Sequence, residues 1–229
     1  MAPRGFRGAA GYGRRILLGT ALAGFGVFRR PRRTVAAGQA PHLLVLGDSL
    51  AAGYGLPQDQ GFVPQLQAAL AARGRAVQVV NAGVSGDTTA GGLARLDWSL
   101  AERPQAAIVE LGGNDGLRAL PPAASRDNLA AILDRLKARN IPVLLAGMLA
   151  PPNLGAPYGR EFAAVYSGLA REYPDTIFYP FFLDGVAGDA GLNQPDGIHP
   201  NAKGVAEIVR RILPAVESLL DRAAPPPDQ

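Results

Sequence analysis

The chain has 229 residues, 48% of them hydrophobic and 18% charged, enough for one sizeable core and too few for two ordinary domains with linkers. Its formal charge of +4 resides in residues 1–40, which hold eight arginines and no acid; the remainder has 15 basic against 19 acidic residues, so the body offers no support for nucleic-acid binding. The absence of cysteine excludes disulfides and lipid attachment at a thiol.

Residues 1–40 read as a leader. A basic start, the apolar stretch ILLGTALAGFGVF at 16–28 and the small residues of TVAAGQA have the layout of a secretory signal, with cleavage near Ala37 or Gly38. The apolar stretch falls short of the roughly 20 residues that a membrane span needs. Arg29, Arg30, Arg32 and Arg33 follow it, and clustered positive charge resists translocation. The layout makes export to the periplasm or beyond the expectation, with an uncleaved leader making weak interfacial contact and a disordered tail without function as the alternatives. Residues 41–222 form one domain, and the tail at 223–229 is expected to fray.

Within that domain, short β-rich runs at 42–46, 77–80, 107–111, 142–148 and 176–182 alternate with helical patterns at 63–73, 89–102, 125–139, 159–172 and 202–221. Most of the runs are continuously apolar, as strands covered on both faces are. The alternation predicts a five-stranded parallel sheet between two helical layers, an α/β architecture joined by right-handed crossovers. Pro214 should kink or divide the last helix.

In such sheets, working groups gather beyond the carboxyl ends of the strands. The first strand runs into Gly47-Asp48-Ser49, the second into Asn81-Ala82-Gly83 and the third into Gly112-Gly113-Asn114-Asp115; the loop after the fifth reaches Asp196-Gly197-Ile198-His199-Pro200. A serine hydroxyl needs a base to take its proton, and the base needs a third group to hold its tautomer. Of the two histidines, His42 opens the first strand, about 20 Å from Ser49 at strand rise, and is a strand-start residue. His199 lies on the rim, and Asp196, three residues earlier, can turn onto its other ring nitrogen. Acyl transfer also requires donors aimed at the developing oxyanion. Candidates are the N–H groups of Ser49 and Gly83 and the side-chain amide of Asn114. Asp48 and Asp115 read as structural residues that shape their loops.

Together GDSL at 47–50, Gly83 within NAGVSGDTT, GGND at 112–115 and DGIHP at 196–200 resemble, in order and spacing, the four consensus blocks of the SGNH or GDSL-type serine hydrolases. LGDSLAAGYGL and ELGGNDGLR are similar to the bacterial branch of arylesterases, acyl-CoA thioesterases and lysophospholipases. The resemblance spans residues 42–220. It implies a flavodoxin-like three-layer α/β/α sandwich, with Ser49 as nucleophile, His199 as base, Asp196 orienting it, and Ser49, Gly83 and Asn114 as the oxyanion hole. It also implies that the segment after Asn114, with Gly116, Leu117 and Leu120, covers an acyl chain. No cofactor or metal is expected, the partner is a small ester or thioester, and the protein is expected to act as a monomer whose rate falls as His199 takes up a proton.

No GxSxG elbow, dinucleotide or P-loop motif, or zinc cluster is present. Two other readings stay open: deacetylation of a cell-surface polysaccharide through the same triad, and an inactive envelope scaffold.

Overall fold

The computed structural model describes residues 40–223. Residues 1–39 of the leader, its cleavage point and residues 224–229 of the tail lie outside the described residues.

The five strands are all parallel: β1 (His42–Gly47), β2 (Gln78–Gly83), β3 (Ala106–Glu110), β4 (Val143–Ala146) and β5 (Ile177–Tyr179), in spatial order β2-β1-β3-β4-β5. The helices are α1 (Ser49–Ala52), α2 (Phe62–Ala72), α3 (Thr89–Ala94), α4 (Leu96–Ser99), α5 (Gly113–Leu117), α6 (Pro122–Ala138), α7 (Ala156–Glu172) and α8 (Ala202–Arg222). Helices α2 and α8 pack together on one face, while α3, α6 and α7 pack in succession on the other. This is the flavodoxin-like strand order, in which the chain switches direction between β1 and β3.

Burial follows position in the sheet. Strands β3 and β4 are buried throughout and β1 beyond its first residue, whereas the edge strands β2 and β5 are only partly covered. The expectation of continuous burial therefore holds for the centre and not for the edges, where only one side has a neighbouring strand and the helices overhang less. The core joins Leu43, Leu44, Ile108 and Leu144 of the sheet to Leu66 and Ile212 on one side and Leu133 and Phe162 on the other.

Two local expectations are corrected. The segment 89–102 is not one helix: α3 and α4 meet at Arg95, whose backbone leaves helical geometry at φ −101° and ψ 4°. Pro214 does not divide α8, which runs unbroken through it. An interior proline costs about 3 kcal/mol, but α8 buries Val205, Ile208, Val209, Ile212, Leu213, Val216 and Leu219, each worth about 1.5–3 kcal/mol, and Pro214 itself faces solvent. Packing outweighs propensity. Among the described residues, no helix is long and apolar enough to cross a membrane.

Candidate active site

β1 ends at Gly47 and the chain turns at once into α1, with Asp48 as its cap: Asp48 Oδ1 accepts the Leu50 N–H at 3.0 Å. Ser49 is thus the first residue of a short helix seated on a buried strand, and its own N–H has no partner among the described residues. Gly47 pairs with Glu110 of β3 and Gly83 of β2, so three strand ends lie side by side beneath the serine.

His199 comes from the loop before α8. Its Nε2 lies 2.9 Å from Ser49 Oγ and its Nδ1 2.7 Å from Asp196 Oδ2. Asp196 also accepts the N–H groups of Ile198 and His199 at Oδ1, at 2.9 and 3.0 Å. Those backbone donors, followed by the imidazole, draw the Asp196 carboxyl down to about 2, so it stays ionised beside the ring. His42 sits at the opposite end of the sheet, its Nδ1 2.9 Å from the Glu102 carbonyl.

Asn114, in the first turn of α5, donates from Nδ2 to the Asp87 carbonyl at 2.9 Å and to Asp48 Oδ2 at 3.2 Å. Asp115 accepts from Thr89 N–H and Oγ1 and from Ser125 Oγ, tying α5 to α3 and α6. Beneath the serine turn, Glu110 is fully buried; burial holds its carboxyl well above the ordinary range, and burial likewise pushes Asp48 up to about 6.

Gly83 is corrected. It belongs to β2, its N–H donates to Asn81 Oδ1 at 2.9 Å, and it does not line the site. An added Cβ there would lie 2.8 Å from the Ala51 carbonyl carbon, so this glycine serves the close approach of β2 to α1. Three residues on, Gly86 lines the site with φ +85°, and its N–H has no partner among the described residues. The string NAGVSG offers both glycines, and nothing in it marks that β2 runs on through Gly83 and leaves Gly86 in the loop beyond.

Ser49, His199 and Asn114 open onto a cavity of about 780 Å³ with largely apolar walls, including Tyr54, Leu117, Met148, Leu149, Phe181 and Ile198. Of the three residues expected to cover an acyl chain, only Leu117 lines it. Gly116 is buried beside Phe162 and Ala150, and Leu120 has turned away, its carbonyl held by Tyr158 Oη at 2.7 Å. Reading the loop after Asn114 alone missed Met148 and Leu149 after β4, and Phe181 after β5, although large apolar residues just past strand ends were the available signal. Among the described residues no group of His, Asp or Glu is arranged to hold a metal ion. The geometry can relay a proton from Ser49 to His199 while Asp196 keeps the imidazole aligned, next to a pocket that accepts a hydrocarbon group.

Residues 45–206 match the model of the GDSL-like lipase/acylhydrolase family. The chain is 46% identical over 182 residues to esterase TesA of Pseudomonas aeruginosa, covering 79% of this chain and 90% of that one. It is 39% identical over 183 residues to the arylesterase of Vibrio mimicus, covering 78% and 91%. It is 41% identical over 169 residues to thioesterase 1/protease 1/lysophospholipase L1 of Escherichia coli strain K12, covering 73% and 79%. Among solved structures, that of TesA superposes with a TM-score of 0.74 at 45% identity over 78% of this chain and 99% of the other. The SGNH-hydrolase family esterase AlinE4 does so with 0.67 at 49% over 80% and 98%.

Proposed function

The chain belongs to the GDSL-like lipase/acylhydrolase family and is an esterase, and from that premise we propose that it cleaves acyl esters and thioesters through an acyl-enzyme on Ser49. His199 Nε2 takes the Ser49 proton as Oγ attacks the substrate carbonyl. The imidazolium is stabilised by Asp196, then returns the proton to the leaving alcohol or thiol. In the second half, His199 activates a water molecule that frees the acid and restores Ser49. The oxyanion is met by the N–H groups of Ser49 and Gly86 and by the Asn114 amide, with Gly86 in the place that the sequence suggested for Gly83.

The observation that carries this reading is the continuous Ser49–His199–Asp196 relay at the mouth of an apolar cavity. The apolar walls favour an acyl chain over a polysaccharide, which would need polar partners for its hydroxyl groups. The layout of residues 1–40 supports work outside the cytoplasm.

The test is hydrolysis of p-nitrophenyl acetate, butyrate and decanoate beside Ser49→Ala. Loss of activity in the variant, with butyrate or decanoate preferred over acetate, is expected. Undiminished activity in Ser49→Ala would overturn the assignment.

A further inference from the structure

Arg95 sits where α3 gives way to α4, and its side chain is only 17% exposed. Nε donates to Asp87 Oδ2 at 2.5 Å, Nη2 donates to the Gly47 carbonyl at 2.9 Å, and Nη1 lies 3.4 Å from Ser99 Oγ. These contacts reach two of the loops that supply the proposed oxyanion donors. Gly47 is the last residue of β1, two before Ser49, and its carbonyl also accepts the Val84 N–H at 3.1 Å. Asp87 follows Gly86, and its carbonyl takes the Asn114 amide at 2.9 Å. One guanidinium therefore spans the serine turn and the Gly86 loop, and through Asp87 it also reaches Asn114.

We infer that Arg95 is a positioning residue for the oxyanion hole: its planar fork sets the spacing between the Ser49 turn and the Gly86 loop. The inference rests on the proposed reading of Ser49, Gly86 and Asn114. Donors stabilise an oxyanion in proportion to how little they must move when charge develops, and Gly86 occupies a loop at φ +85° with no strand to hold it. From the solvent side Arg118 reaches the Gly86 carbonyl, but that contact is exposed and competes with water. The Arg95–Asp87 pair is largely shielded and bonds at fixed angles. Lysine could keep the charge, but its ammonium lacks the rigid fork whose Nε and Nη2 meet Asp87 and Gly47 at once.

Arg95 touches neither Ser49 Oγ nor the cavity, so its loss should leave substrate binding intact and slow the chemical steps. Expected for Arg95→Met is a kcat about 10- to 100-fold lower with KM within about twofold, the range that donor misplacement produces. Arg95→Lys should fall between. Asp87→Asn, which keeps the carbonyl that holds Asn114, should show the same kcat-selective loss, and the double variant should be little worse than either single one, because both break one connection. Rates are expressed per competent site, titrated by the burst on a fluorophosphonate ester, and thermal unfolding is followed in parallel. Arg95→Ala offers a further readout, since added guanidinium ion should restore part of kcat.

If Arg95→Lys and Arg95→Met both keep kcat per site within about twofold of the parent, or lose activity only through KM, the inference is overturned. The same holds if guanidinium restores nothing and the loss vanishes at a temperature where the variants are fully folded, since a purely structural ion pair would behave so. These outcomes leave the assignment of Ser49 standing, because the parent would still be active and Ser49→Ala would not.

Discussion

The ring of Tyr54 lies against that of His199, centroids 4.6 Å apart and planes inclined by 37°. Gln194 holds the pair together: its Nε2 donates to the Tyr54 carbonyl at 2.8 Å, and its own N–H donates to the His199 carbonyl at 2.7 Å. The Tyr54 hydroxyl bonds to no described residue. Tyr54→Phe should therefore keep kcat within about twofold, since the ring contact survives. Tyr54→Ala should lower it about tenfold by leaving the imidazole free to turn. Steady-state rates on p-nitrophenyl butyrate decide; equal loss in both variants would assign the effect to the hydroxyl instead.

Glu110 tests how the serine turn is supported. Its Oε2 accepts the Asp48 N–H at 3.4 Å, while Oε1 is the one buried side-chain oxygen or nitrogen among the described residues without a partner. Burial, followed by the neighbouring Asp48 carboxylate, raises the carboxyl and favours its neutral form, so Glu110→Gln, which matches that form in shape and charge, should change stability by no more than about 1 kcal/mol. Glu110→Ala leaves both a void and an unpaired N–H, and should cost about 2–4 kcal/mol in urea unfolding.

Asp48 gives a pH signature. Its carboxyl rises from an ordinary 3.8 to about 6, chiefly through burial, against opposing help from the Leu50 N–H, His199 and Asn114. Between those values the folded protein binds more protons than the unfolded chain, so this group's contribution to stability is lost as pH rises from about 4 through 6. Unfolding free energies of the parent and Asp48→Asn, compared across that interval, should shift in favour of the variant by up to about 3 kcal/mol. Asp196 acts oppositely: its depressed carboxyl stabilises above 3.8, and that contribution is lost as pH falls toward 2. A parent-to-variant difference that stays flat with pH would show that Asp48 is not held neutral by burial.

Leu117 and Leu120 separate wall from brace. Leu117 lines the cavity and Leu120 does not. Leu117→Ala should change the decanoate-to-butyrate ratio of kcat/KM about fivefold, the worth of one or two lost methylene contacts. Leu120→Ala should leave the ratio unchanged, because Tyr158 holds the Leu120 backbone rather than its side chain. A shift with Leu120 and none with Leu117 would mean that the acyl group lies elsewhere.

The parallel sheet was legible because β1, β3 and β4 are largely continuous apolar runs and the ends of β1, β2 and β3 lead into loops that carry glycine and polar residues. Ser49, His199 and Asp196 could be brought together on paper because only two histidines exist and His42 stands at the wrong end of a strand. Gly83 and Gly86 could not be told apart, since local composition carries no record of where the ladder to β1 stops. The break at Arg95 was hidden for a related reason: nothing nearby in the chain marks the Gly47 carbonyl that its side chain meets. The walls of the cavity come from loops far apart in sequence, whose apolar residues look like ordinary core until the strands set them around one opening.

The contact between Ser49 and His199 joins positions 150 residues apart and depends on the loop just ahead of the final helix. Loop closure over such a span is among the slowest and most entropically costly events in assembling a chain. A nascent or partly refolded molecule that has built its central strands but not docked α8 would have the serine without its base, and would be chemically silent. Turnover of a chromogenic ester then serves as a clock for the last stage of folding, reporting a molecule only once both ends of the domain have met.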